Sequence, residues 1–78
     1  MKIFLIETVD PDGWHYQYDK TSAIVVVAKD EKSARDLAGC NSGDEGYDVW
    51  QDPEITKSTV IGTGSGPARA ILREYNAG

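Results

Sequence analysis

The chain has 78 residues, of which 40% are hydrophobic and 27% charged, and its formal net charge is −5. These values fit one folded domain with a thin core and exclude a disordered chain. The acidic balance argues against binding to DNA or RNA through a basic face, because that mode uses lysine and arginine to displace counterions from phosphates. Cys40 is the only cysteine, which excludes an intrachain disulfide and a cysteine-rich zinc cluster and favours a reducing compartment.

The first predicted element is a strand from Lys2 to Val9. Its apolar side chains lie on both faces, with Phe4 and Ile6 opposite Ile3 and Leu5, which is typical of an interior strand. This apolar run is too short for a signal peptide or a membrane span, and we therefore expect a cytoplasmic protein.

A turn and an aromatic segment follow this strand. In Asp10-Pro11-Asp12-Gly13 the proline fixes φ and the glycine can adopt a positive φ, so the chain is predicted to reverse there. Trp14, Tyr16 and Tyr18 then recur at every second residue, which indicates an extended segment that leads into the next strand.

The clearest fold signal is the stretch from Ser22 to Ala38. Ile24 to Ala28 is an unbroken apolar run and predicts a strand that is buried on both faces. Asp30 is the predicted N-cap of a helix, and we expect Gly39 to end it. The predicted apolar face of this helix consists of Ala34, Leu37 and Ala38, whereas Lys32, Arg35 and Asp36 lie outside it.

The second half of the chain carries weaker signals. Tyr47 to Trp50 is predicted as a short strand or bulge, and Asp52-Pro53 as a turn. Ile55 to Ile61 alternates apolar residues with Thr and Ser and predicts a further strand. After a glycine-rich loop, the segment from Ala68 to Tyr75 suits either a helix or a closing edge strand, and we favour the strand.

Several short motifs resemble a family of short proteins found in bacteria and their phages. The motifs are MKIFLIETVD at the start, YQYD at 16–19, EKSARDLA at 31–38, DEGYDVWQDPE at 44–54 and REYNAG at the end. The resemblance implies a compact α+β domain with a C-terminal strand, and it suggests a phage setting. It implies no activity and no catalytic residue.

Together these elements predict one compact α+β domain over residues 1–78. We expect a small antiparallel or mixed sheet of three to four strands, with one main helix packed on one face. One helix leaves the other face exposed, so we expect a homo-oligomer, most simply a two-fold dimer, that covers it. The residues predicted on the uncovered face are Phe4, Ile6, Ile24, Val26 and Ala28.

Three motifs that carry chemistry elsewhere fail here in detail. GTGSG at 62–66 lacks the third glycine of a dinucleotide fingerprint, because Pro67 stands there. A flexible loop is the favoured interpretation, and an anion contact through its amides is the smaller alternative. His15 is the only histidine and Cys40 the only cysteine, and no third group orients them as a base and nucleophile. The carboxylates at 10–19 and 44–54 do not have calcium-loop spacing, so we favour solvated turns over a divalent-ion site.

The aromatic residues are the stronger functional lead. Many large rings for so small a core are found at Trp14, Tyr16, Tyr18, Trp50 and Tyr75, and four of these five have polar or half-polar neighbours. We therefore expect most of them near the surface, the alternative being that they complete the core. The predicted ligand-binding residues are Trp14, Tyr16, Tyr18 and Trp50, which would stack on a base, with Arg69 and Arg73, which would contact phosphate.

The sequence therefore predicts a non-enzymatic binding protein. We expect a phage-type protein of the host cytoplasm that captures a small nucleotide-derived signalling molecule and so counters host defence. The alternative is an inhibitor that presents an acidic, aromatic surface to a basic host protein. Neither function uses a cofactor, a metal, a nucleic-acid duplex or a membrane. A small enzyme that acts through His15 is the least favoured hypothesis.

Overall fold

The computed structural model describes residues 1–9, 20–43 and 46–76. In chain order, the elements in these ranges are β1 (Lys2–Thr8), β2 (Lys20–Ala28), α1 (Glu31–Cys40), a 3₁₀ helix (Asp48–Gln51), β3 (Thr56–Thr63) and β4 (Arg69–Asn76). The strands form one sheet in the order β3-β1-β2-β4, and every neighbouring pair is antiparallel. The predicted α+β class, with one main helix on a small sheet, is confirmed.

The C-terminal segment is a strand, as the sequence analysis favoured. β4 pairs with β2 along its whole length, from Arg69 opposite Val27 to Asn76 opposite Lys20. Gly66 precedes it with a φ of +87°, a conformation that side chains rarely adopt. The glycine at this position therefore allows the chain to turn from the end of β3 into β4.

The prediction of a short strand at Tyr47 to Trp50 is wrong, because residues Asp48–Gln51 form a 3₁₀ helix. The amide of Trp50 donates to the carbonyl of Tyr47 (3.2 Å), and the amide of Asp52 donates to that of Val49 (3.2 Å). This tight turn places the Trp50 side chain in the core, where it is completely buried. Burial of the indole outweighs the weak local preference for an extended chain.

Helix α1 begins as predicted. The Asp30 carboxylate accepts a hydrogen bond from the Ser33 amide (2.8 Å), and this bond holds the pKa of Asp30 below its usual value. The predicted end is one residue early, since Gly39 is buried inside the helix. A Cβ at Gly39 would overlap the ring of Tyr47, lying 2.8 Å from Cε2. The glycine is therefore needed to admit the ring, not to stop the helix.

The core lies between the sheet and α1. The sheet contributes Phe4, Ile6, Ile24, Val26 and Ala28, which pack against Ala34, Ala38 and Trp50. The prediction that these five strand residues form an uncovered face is wrong, because the helix and the buried indole cover them. Both faces of β1 and β2 are apolar in sequence, so the pattern could not show which face the helix would take.

Candidate functional site

Trp50 is a core residue and not a surface ring. Its relative exposure is 0%, and it packs in the same cluster as Phe4 and Ile6. Stacking on a ligand base needs an accessible ring face. The expectation that Trp50 lies near the surface and binds a ligand is therefore corrected: its indole supplies apolar area to the thin core.

Arg35 holds the Trp50 turn in place, a role that the helical pattern of α1 does not predict. The side chain is 7% exposed although helical periodicity placed it outside the apolar face. Its Nη1 donates to the Trp50 carbonyl (3.1 Å) and to Thr56 Oγ1 (2.6 Å), while its Nε donates to Glu31 Oε2 (3.0 Å). Arg35 thus connects α1 to the 3₁₀ helix and to the first residue of β3.

The two predicted phosphate-binding arginines do not converge on one site. Arg69 Nη1 donates to the carbonyls of Ser65 (3.0 Å) and Pro67 (2.8 Å), so it stabilises the turn that precedes its own strand. Arg73 Nη1 donates to the carbonyl of Asn41 (2.8 Å), the residue that caps the C-terminal end of α1. A cation at this end of a helix is favoured by the helix dipole. Both contacts are structural.

The remaining predicted ligand-binding residues, Trp14, Tyr16 and Tyr18, lie outside the described residues, as do His15 and the acidic residues at 10–19. Cys40 is exposed at the end of α1. Among the residues that the structure describes, no three His, Cys, Asp or Glu side chains come together in a group that could hold a metal ion.

The side of the sheet that faces away from α1 is the more distinctive surface. We call it the open face and define it by three adjoining rows of paired residues across β3, β1, β2 and β4. The rows are Lys57, Glu7, Ala23 and Glu74; Thr59, Leu5, Val25 and Leu72; and Gly62, Ile3, Val27 and Arg69. The middle row is the most apolar of the three across its full width.

This middle row is accessible in the described structure. Leu72 is 68% exposed, and Leu5 and Val25 are partly exposed. A shallow depression of about 160 Å³ lies here, and its lining residues are Leu5, Ala23, Ile24, Val25, Leu72, Arg73 and Glu74. An exposed apolar surface on a strand face with charged residues at its border is typical of a contact surface.

One end of the open face is closed by the glycine-rich loop. A Cβ at Gly64 would lie 3.2 Å from Ile3 Cγ1 and 3.3 Å from Val27 Cγ1, so the backbone of this loop packs directly on both side chains. Two hydrogen bonds between Met1 and Gly64 hold the loop in place. Close packing on the sheet explains the glycine here, and the flexible-loop interpretation is replaced by a structural one.

A scan of protein-family models and searches of curated proteins and of solved structures found no match to this chain. Of the helices in the described ranges, none is long and apolar enough to cross a membrane. The candidate site therefore rests on the geometry of the open face alone.

Proposed function

We propose that this chain is a non-enzymatic binding protein that contacts a protein partner through the open face of its sheet. The observation that supports the proposal is the exposed apolar middle row, Thr59, Leu5, Val25 and Leu72, with Leu72 at 68% exposure. Apolar side chains spread over a broad strand surface suit a protein surface better than a small polar ligand.

Capture of a nucleotide-derived signal, and with it a role against host defence, stays a prediction. The described residues favour it less than they favour protein contact, because Trp50 is buried and Arg69 is bonded to its own turn. Most residues that line the depression on the open face are apolar, and Arg73 among them donates to the Asn41 carbonyl, whereas a phosphate would need several converging donors.

The inhibitor hypothesis also predicts a protein partner, but it requires that partner to be basic. The chain carries a net charge of −5, yet the charged row of the open face contains Lys57 as well as Glu7 and Glu74. A purely basic partner would meet this lysine unfavourably. A partner with both signs of charge at its rim suits the face better, in the cytoplasm of a bacterium or of a phage's host.

The proposal is tested by site-specific photocrosslinking in cells that produce the protein. A benzophenone amino acid replaces Leu72 on the open face, and in a matched control it replaces Lys32, which is exposed on the helix side. We expect light-dependent protein adducts from position 72 and none from position 32. Equal adduct formation at both positions, or none at position 72, would refute the proposal.

A thermal-shift screen of a nucleotide panel separates the two hypotheses. A ligand that binds the folded form alone raises the unfolding midpoint by mass action. We expect no nucleotide to raise it. A nucleotide that does so, combined with no adducts at position 72, would favour signal capture instead.

A further inference from the structure

We propose that the partner on the open face is a second copy of this chain, packed face to face about a two-fold axis that runs parallel to the strands. This inference rests on the proposed function and names its partner. The order of charges across the sheet supports it.

Lys57 and Glu74 lie in one row at opposite edges of the sheet. Lys57 on β3 pairs with Glu7 on β1, Glu7 pairs with Ala23 on β2, and Ala23 pairs with Glu74 on β4. Both edge residues are exposed. Within the described ranges the ion pairs are the two on α1, and they involve neither Lys57 nor Glu74.

A two-fold axis in the interface and parallel to the strands exchanges the left and right edges of the sheet without exchanging its ends. It therefore places Lys57 opposite the partner's Glu74 and, by symmetry, Glu74 opposite the partner's Lys57. The same operation places Leu5 opposite the partner's Val25. One rotation thus pairs opposite charges twice and buries the apolar row against itself, which is a self-complementary arrangement.

The geometry also fits sheet packing and predicts the strength of the dimer. Two twisted sheets pack about 10 Å apart with their strands roughly aligned, and this axis keeps the strands aligned. Over the part that the glycine-rich loop leaves open, a face four strands wide would bury at most roughly 1,000 Å² over both copies. That area lies at the lower limit for specific complexes, so we expect a weak, reversible dimer.

The experiment is a charge exchange read by sedimentation equilibrium of the purified full chain, from a few to a few hundred micromolar. Lys57→Glu alone and Glu74→Lys alone each create two like-charge contacts per dimer, and we expect each to weaken dimerisation at least about tenfold. The double variant exchanges the signs and restores both pairs, so its dissociation constant should return to within about threefold of the parent value.

Matched controls separate the interface from folding. Lys32→Glu and Glu54→Lys make the same charge changes at exposed positions off the open face, and they should leave the dissociation constant unchanged. Lys57→Glu also faces Glu7 within its own chain, and this contact persists in the double variant. Recovery of dimerisation in the double variant therefore reports the contact between copies.

Three outcomes would overturn the inference: a monomer mass for the parent over the whole range, single variants that dimerise as the parent does, or a double variant that stays as weak as the single ones. If one of these occurs while position 72 still crosslinks to a different protein, the open face binds a foreign partner and the proposed function stands. If the crosslinks also fail, both are wrong.

Discussion

Removing the Arg35 side chain should cost far more stability than its position on the polar side of a helical wheel predicts. The change to test is Arg35→Met, which keeps a long apolar stem in the buried space but removes every donor. The parent guanidinium makes two short bonds to neutral acceptors, the Trp50 carbonyl and Thr56 Oγ1. Hydrogen bonds from a charged donor are worth about 1.5 to 3 kcal/mol each.

The ion pair to Glu31 adds little to this sum, because the Glu31 side chain is 58% exposed and such pairs contribute about 0.3 to 0.5 kcal/mol. We therefore expect Arg35→Met to lower the free energy of unfolding by about 3 kcal/mol. A chain of 78 residues has a total stability of about 4 to 12 kcal/mol. The loss is therefore a large part of the whole.

The assay is urea denaturation followed by tryptophan fluorescence, with Glu31→Gln as the control that removes the ion pair but leaves both buried bonds. The control should lose less than about 0.5 kcal/mol. Replacing a buried charge can stabilise a protein when its charged partner is also replaced. Here the acceptors are a backbone carbonyl and a threonine, which remain. A variant Arg35→Met as stable as the parent, or a control that loses as much, would refute the reasoning.

Three further predictions concern α1. Leu37→Ala should lower the free energy of unfolding by about 2 kcal/mol, at the lower end for a leucine because the side chain is only partly buried. Asp30→Ala should lower it by about 1 kcal/mol, and urea midpoints of the two variants measure the difference. Because the pKa of Asp30 is lowered in the folded state, its contribution is complete above its ordinary value of 3.8 and is lost as the pH falls through the folded pKa. The stability difference between the parent and Asp30→Ala should therefore shrink below pH 3.8, and a constant difference would contradict this. Gly39→Ala should destabilise the parent, because the added Cβ displaces the Tyr47 ring. In a Tyr47→Ala background the same change should stabilise the protein by about 1 kcal/mol through helix propensity. Thermal unfolding of the parent, the two single variants and the double variant measures both effects.

Hydrophobic periodicity predicted the elements in which the apolar residues of the local sequence are also the buried ones. Ile24 to Ala28 is apolar at every position and forms the second half of β2, and the Asp30 cap begins α1 where the sequence placed it. The features that the sequence did not predict depend on contacts between elements that are distant in the chain. Arg35 is buried because the 3₁₀ helix and the start of β3 pass over it, and no pattern within α1 records that crossing.

The candidate site was the less predictable part. The polar neighbours of Trp50 predict a surface position, but tryptophan is highly buried on average, and here its indole is completely buried. The open face could not be found from the sequence, because its rows depend on the register between strands. That register joins Lys57 to Glu74 through β1 and β2, and no local pattern around either residue indicates it.

The two edge strands share one irregularity that bears on edge-to-edge assembly. In β3 the register with β1 skips Ile61, and in β4 the register with β2 skips Ile71; both isoleucines are exposed. Such a bulge bends an edge and interrupts the straight row of backbone donors and acceptors that another chain would copy. Copies of this protein should therefore resist adding to one another edge by edge without limit. An assembly that forms across the open face would stop at two, because each copy has one such face and both are then occupied.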